Sequence, residues 1–252
     1  MKHFKKIIAT IAALLICAFL SGIEAIDLIR KLDNNEVYSS IKYEGEMIIY
    51  ISGKQYDKTF YAYGKDSNNF FCEFTNSDDA GTKYLKKEGN LFVYTPDLEE
   101  VVPITGHMLR ESMMGSDLSY EDTINNDTLE SQYNGTLLPD AKFDGDTKFK
   151  GKDVWVLELT AKRNTVSYAK RVVWLDKETF AALRVDYYAL SGAKLKEFLL
   201  LDAKWIGNRY FAIESQFRDL NRENSKTIFQ MNNIELDIKL PENIFSLKSL
   251  TK

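Results

Sequence analysis

Cysteine and histidine are nearly missing from this 252-residue chain, which holds only Cys17, Cys72, His3 and His107. Zinc and iron sites built from several His and Cys ligands are therefore excluded. Asp140, Asp144 and Asp146 lack the glycine and terminal glutamate of a calcium-binding loop and read as a solvated loop. Basic residues are not in excess, since 33 Lys and Arg stand against 37 Asp and Glu, a net charge of −4. Such a balance argues against nucleic acid and against docking to anionic headgroups by charge alone. No glycine-rich phosphate loop occurs, Gly115-Ser116 being a lone glycine before a serine, and no cofactor is implied. The apolar run over residues 7–20 is too short for a comfortable membrane span. With only four prolines, long strands can run uninterrupted.

That apolar run follows Lys2, Lys5 and Lys6 and leads into Ser21-Gly22-Ile23-Glu24-Ala25. The order is that of a secretory signal over residues 1–25, cleaved after Ala25, and points to the periplasm. Cys17 offers lipid anchoring as the alternative, although bulky Ile16 stands where lipoprotein signals place a small residue. Cleavage removes three lysines and Glu24, taking the net charge from −4 to −6. Residues 26–252 are rich in Tyr, Phe, Ile, Leu and Val and can bury one sizeable core as a single domain. Cys72 is then without a disulfide partner. Its setting, Phe70-Phe71-Cys72-Glu73-Phe74, reads as an inward strand position where the thiol serves as a small apolar group.

Residues 26–41 carry Ile26, Ile29 and Leu32 at helical spacing, continued less regularly by Val37 and Ile41. Beyond Ser39-Ser40 the period changes to two. Strands are expected over residues 43–51, 56–63, 69–75, 82–86 and 91–95, with Glu88-Gly89-Asn90 as a hairpin turn. The polar stretch 123–146, with both of its Asn-x-Thr sequences, reads as helical turns and loop over the sheet. Strands resume over 147–149 and 154–159, which pair, and then over 168–175, 182–189, 194–205, 209–217 and 226–238. Val172-Val173-Trp174-Leu175 and Phe198-Leu199-Leu200-Leu201 are continuous apolar runs. A sheet wet on one face alternates, so both faces here are covered or one lines an apolar cavity. The class is mainly β (α+β), one large curved antiparallel sheet.

One stretch differs in character. After Thr82-Lys83-Tyr84-Leu85, Leu91-Phe92-Val93-Tyr94-Thr95-Pro96 and Val101-Val102-Pro103-Ile104, the residues from His107 to Met114 turn long-chained and unbranched. Methionine suits surfaces that must fit varied apolar partners. Met114-Gly115-Ser116-Asp117 and Ser119-Tyr120-Glu121-Asp122 close the stretch. Together these blocks resemble the central signature of the outer-membrane lipoprotein-sorting (LolA-like) family, and the likeness runs over nearly the whole mature chain. Two positions depart from the family pattern: Phe92 stands where a tryptophan is usual, and Glu99-Glu100-Val101-Val102-Pro103 replaces a basic run.

The resemblance implies an incomplete β-barrel with a helical lid over an apolar cavity. The N-terminal helix and residues 108–114 would form that lid. It implies a periplasmic carrier that shelters a lipid, or the acyl chains of a lipoprotein, between envelope membranes. A monomer is expected, with an inner-membrane transporter or exporter as a further partner. Met108, Leu109, Met113, Met114, Phe92, Tyr94, Trp155 and Trp174 are the candidate cavity and lid residues. Leu109 and Met113 would share one helical face. Gly115, Ser116, Asp117, Tyr120, Glu121 and Asp122 form the candidate structural motif, with Ser116 or Asp117 capping the following helical turn. A hydrolase using Ser116 as nucleophile and His107 as base is the enzymatic alternative, but the second glycine of a nucleophile elbow is missing. A cell-envelope adaptor binding a protein through an apolar face is the remaining reading.

Overall fold

The computed structural model describes residues 23–252 other than 36, 67, 125, 126 and 242. Nearly all of the expected export signal, with Cys17, lies outside the described residues. One sheet of thirteen antiparallel strands organises the chain, in the order β6-β5-β4-β3-β2-β1-β13-β12-β11-β10-β9-β8-β7. The strands are β1 (Ser40–Ile51), β2 (Lys54–Lys65), β3 (Asn69–Phe74), β4 (Lys83–Lys87), β5 (Asn90–Thr95), β6 (Glu100–Ile104), β7 (Tyr133–Lys142), β8 (Asp153–Ala161), β9 (Lys170–Asp176), β10 (Ala182–Tyr188), β11 (Lys194–Ile206), β12 (Arg209–Asp219) and β13 (Ser225–Leu236). Two meanders, β1–β6 and β7–β13, are joined where β1 pairs with β13, from Ile41 opposite Leu236 to Ile51 opposite Ser225. β6 and β7 do not pair, so the barrel stays open.

Local chemistry explains the tight turns. Ser52-Gly53 joins β1 to β2 and Glu88-Gly89 joins β4 to β5, and all four residues have positive φ. That is the two-residue hairpin whose twist matches the strands. Bulges in the β1–β13 and β11–β12 ladders bend the sheet around its own concave face. Cys72, opposite Tyr84, is 1% exposed, and burial pushes its thiol up to about 12, an inert apolar filler as expected.

Both faces are covered. Helix α1 (Ala25–Asn35) buries Leu28, Ile29 and Leu32 against Tyr133, Leu157, Leu159, Val173 and Leu175. The alternate residues Val154, Val156, Val172 and Trp174 pack with Phe143 and Phe149 of the β7–β8 connection. The continuous apolar runs are accounted for in this way. On the other meander, Phe71 and Leu85 pack with Ile244, Phe245 and Leu250 of the C-terminal segment.

Three expectations are corrected. The first helix ends at Asn35, and Ile41 belongs to β1. Residues 133–142, expected as loop, form edge strand β7, and it is β7 rather than 147–149 that pairs with β8. Pro139 is tolerated because the ladder slips between Leu138 and Ala141. Asn134-Gly135 is accordingly strand and not turn. A Cβ on Gly135 would meet Ile29 Cδ1 at 2.7 Å, so the glycine lets α1 lie close on the edge strand.

Candidate functional site

A cavity of about 890 Å³ opens between α1, the segment 117–129 and the concave face of the sheet. Its apolar wall comes from Ile41 and Tyr43 of β1, Val185, Phe198, Phe211, Phe217 and Met231. Leu32, Asp33 and Asn35 border it from α1, and Asp117, Leu118, Glu121 and Asp122 from the facing segment. The volume lies within the range of small-molecule sites, about 300–1,000 Å³.

The facing segment is not one helix. A 3₁₀ turn over Gly106–Arg110 is followed by a second over Met113–Gly115. Between them Ser112 forms a β-bridge with Ser119, folding the chain back on itself. Met114 and Gly115 both have positive φ, at 54° and 79°, where glycine costs least. Leu109 and Met113 therefore do not share a helical face.

Polar bonds fasten this hairpin to the sheet. Asp117 is 2% exposed, and its carboxylate accepts from Ser225 Oγ at 2.8 and 2.9 Å, Thr227 Oγ1 at 2.8 Å and Asp219 N at 3.0 Å. Arg222 donates to the carbonyls of Gly115 and Ser116 and to Ser112 Oγ. Ser116 is fully buried, its Oγ donating to Met113 O at 2.7 Å and accepting from Leu118 N at 3.2 Å. The cap of the next helix, α2 (Tyr120–Ile124), is instead Ser119, whose N and Oγ both donate to Asp122 Oδ2 at 2.8 Å.

Charge gathers on the cavity wall around α2. Lys196 Nζ donates to Asp122 Oδ2 at 2.6 Å and Tyr168 OH to Asp122 Oδ1 at 2.6 Å. Burial alone would raise the Asp122 carboxyl, but Lys196 and these hydrogen bonds hold it below its ordinary value. Burial, together with the neighbouring Asp122 charge, raises Glu121. Burial also raises Asp33, against the amides of Leu129 and Glu130 that it accepts. Lys86, 6% exposed, donates to Thr123 O at 3.3 Å, and burial pushes it down to about 8. Arg171 lies among Tyr133, Tyr187 and Tyr168, 4.8, 5.2 and 5.6 Å from the ring centres.

The residues chosen from sequence fall in other places. Met113 is 8% exposed in the core of the β1–β4 half, with Met108, Leu109 and Met114 packed against it. Phe92 and Tyr94 face the C-terminal segment, while their neighbours Leu91 and Val93 turn to the concave side. Trp155 stacks on Phe180 at 5.5 Å, and Trp174 lies under Arg184 in the outer cluster. None of these eight lines the cavity, whereas Asp117, Glu121 and Asp122 of the motif do. His107 is exposed, and the partners of the Ser116 hydroxyl are backbone groups. Sequence reasoning missed Lys86, Arg171, Tyr168 and Lys196. The one available signal was a basic residue inside an otherwise apolar or aromatic strand.

This open half-barrel of one antiparallel sheet is similar in fold to solved structures of lipoprotein-sorting and LolA superfamily proteins. Residues 66–252 match a family described as "uncharacterized protein"-like, and the chain belongs to that family. A DUF1329 family protein from Desulfovibrio piger is 26% identical, with a TM-score of 0.80 over 90% of this chain and 97% of that one. An outer membrane lipoprotein-sorting protein domain from Vibrio parahaemolyticus is 22% identical, with a TM-score of 0.78 over 90% and 98%. A LolA superfamily protein from Nitrosomonas europaea is 17% identical, with a TM-score of 0.72 over 90% and 100%. The resemblance read from residues 81–122 and the fold thus agree. None of the curated proteins matches this sequence. Among the described residues no helix is long and apolar enough to cross a membrane.

Proposed function

We propose that the protein is a periplasmic carrier that binds a lipid, or the acyl chains of a lipoprotein, and moves it between envelope membranes without catalysis. The carrying observation is the cavity of about 890 Å³ between α1 and the sheet, walled by Phe198, Phe211, Phe217, Met231 and Val185. Each methylene left in water costs about 0.8 kcal/mol, so a sixteen-carbon chain loses on the order of 12 kcal/mol without shelter. An apolar wall of this kind removes much of that cost. The agreement with lipoprotein-sorting and LolA superfamily structures supports the reading at the level of fold. The cavity wall itself, rather than the methionines of residues 108–114, would grip the chain. A monomer that exchanges cargo with an inner-membrane transporter or exporter fits this role.

Mass spectrometry of organic extracts from the purified native protein tests the reading. An amphiphile with one or more long acyl chains, in near-stoichiometric amount, is the expected result. A protein that comes up empty and takes up no fluorescent acyl probe would sink it.

A further inference from the structure

The charges around the cavity are not evenly matched. Several of its acids are paired: Asp122 with Lys196 at 2.6 Å, and Glu197 with Lys194 at 2.7 Å and Arg184 at 3.1 Å. Asp33 accepts two backbone amides. Among the described residues three cations lining the same cavity have no ion pair: Arg218, which is exposed to solvent, and the two drawn into the wall, Lys86 and Arg171. No carboxylate among the described residues lies within ion-pair distance of Lys86 or Arg171.

Each of the two carries unused donors. An ammonium has three N–H groups, and Lys86 spends one of them on Thr123 O at a long 3.3 Å. With 6% of its surface exposed it cannot recover the rest from bulk water. A buried cation without an opposite charge is costly, and an anion in the cavity relieves that cost. Arg171 spends Nε on Tyr133 OH at 2.9 Å. The rings of Tyr133 on β7, Tyr187 on β10 and Tyr168 in the connection before β9 hold its guanidinium in place. Its two terminal nitrogens have no hydrogen-bond partner among the described residues. A guanidinium edge of this kind matches a carboxylate or phosphate.

We infer that the cavity selects an anionic amphiphile, its carboxylate or phosphate head held by Arg171 and Lys86 while the chain lies on the Phe198–Phe217 wall. This deepens the acyl-carrier reading and rests on it. The selectivity it predicts is for the acid over its own ester, a discrimination that apolar burial alone cannot make.

The test is displacement of a neutral fluorescent acyl probe at pH 7 by dodecanoate, by its methyl ester and by inorganic phosphate. Wild-type protein, Arg171→Gln and Lys86→Met are compared, with thermal melting as the check on folding. Dodecanoate should displace the probe at a concentration about tenfold or more below its ester, since a charge-assisted hydrogen bond discriminates by that order. The preference should fall to about twofold in either variant, with the ester unchanged. Should Arg171→Gln fail to fold, Lys86→Met still decides, because it removes a buried charge and keeps the apolar stem. Equal displacement by acid and ester in wild type would overturn the headgroup inference and leave the acyl reading standing. Failure of the probe to bind at all would remove the acyl reading itself. Displacement by inorganic phosphate alone would assign a free-anion site and overturn the amphiphile.

Discussion

Two elements face each other across the cavity, and they are held by different forces. Helix α1 lies on the β7–β10 half through Leu28, Ile29 and Leu32, all buried against aliphatic side chains and Tyr133. Its polar ties are fewer and less buried: Arg30 with Glu130 at 2.8 Å, both about half exposed, the half-buried Asp33 with the amides of Leu129 and Glu130, and Asn35 at its C-terminal end. The hairpin 105–124 also has a greasy underside, but Asp117, Arg222 and Asp122 fasten it to β12, β13 and β11. Apolar contacts are non-directional and can be remade after a small slide, whereas a buried carboxylate with three donors has one acceptable position. The difference teaches which wall is the door. We propose that the methionine-rich hairpin is the fixed jamb and that α1 is the element that moves.

Removing the strongest fastening gives the largest effect. In Asp117→Ala, the hydroxyls of Ser225 and Thr227 and the amide of Asp219 lose their acceptor inside the protein. Each buried donor left unsatisfied costs about 1–3 kcal/mol, and partial rearrangement puts the total near 3–5 kcal/mol. Urea unfolding should show that loss in the midpoint at unchanged slope. A loss under about 1 kcal/mol would mean that the hairpin is not riveted, and the contrast with α1 would collapse.

Much of the fold was legible in the sequence for a plain reason: period-two runs separated by turns such as Glu88-Gly89 are a local code. What was illegible depended on partners far along the chain. β7 carries Gly135 and Pro139, which argue against a strand, and only its place at the sheet edge beneath α1 makes them acceptable. In Leu91-Phe92-Val93-Tyr94 every residue is apolar, so alternation could not say which pair faces the cavity. The C-terminal segment decides it by covering Phe92 and Tyr94. Met108 to Met114 drew attention by composition, although Asp117 and Arg222 fix the hairpin through residues more than a hundred positions away. Arg171 gave only the faint sign of a basic residue opening an apolar strand, because two of its three tyrosines, Tyr133 and Tyr187, come from other strands.

Acid should act on the two walls in opposite directions. The Asp122 carboxyl is held below its ordinary value, so it adds stability above the unfolded value, near pH 4. That stability is lost as the pH falls through the folded value. Asp33, on α1, is raised instead, so its protonated form suits the folded state. Its contribution is present below the unfolded value and disappears as the pH rises through the folded one. Unfolding free energy should therefore decline as the pH falls below about 4, with part of the loss coming from the Asp122 contacts. Asp122→Asn should be less stable than wild type at pH 7 and should show a smaller decline in acid. Parallel pH curves for the two proteins would assign the acid loss to other carboxylates.

The smallest expected change in stability is the sharpest probe of the door. Asn35 Nδ2 donates to Thr179 O at 3.0 Å and Phe180 O at 2.9 Å, tying the end of α1 to the β9–β10 turn beside the cavity. Asn35→Ala removes both bonds from a half-buried, partly wet position, where about 1 kcal/mol is the expected loss. A free-energy change of that size raises the population of an undocked α1 by about fivefold. If α1 gates the cavity, an acyl probe should enter and leave about fivefold faster in stopped-flow measurements. Its equilibrium affinity should shift by less than either rate, because both directions pass the same door. If the hairpin 105–124 is the moving element, both rates should match wild type, since Asn35 makes no bond to that segment.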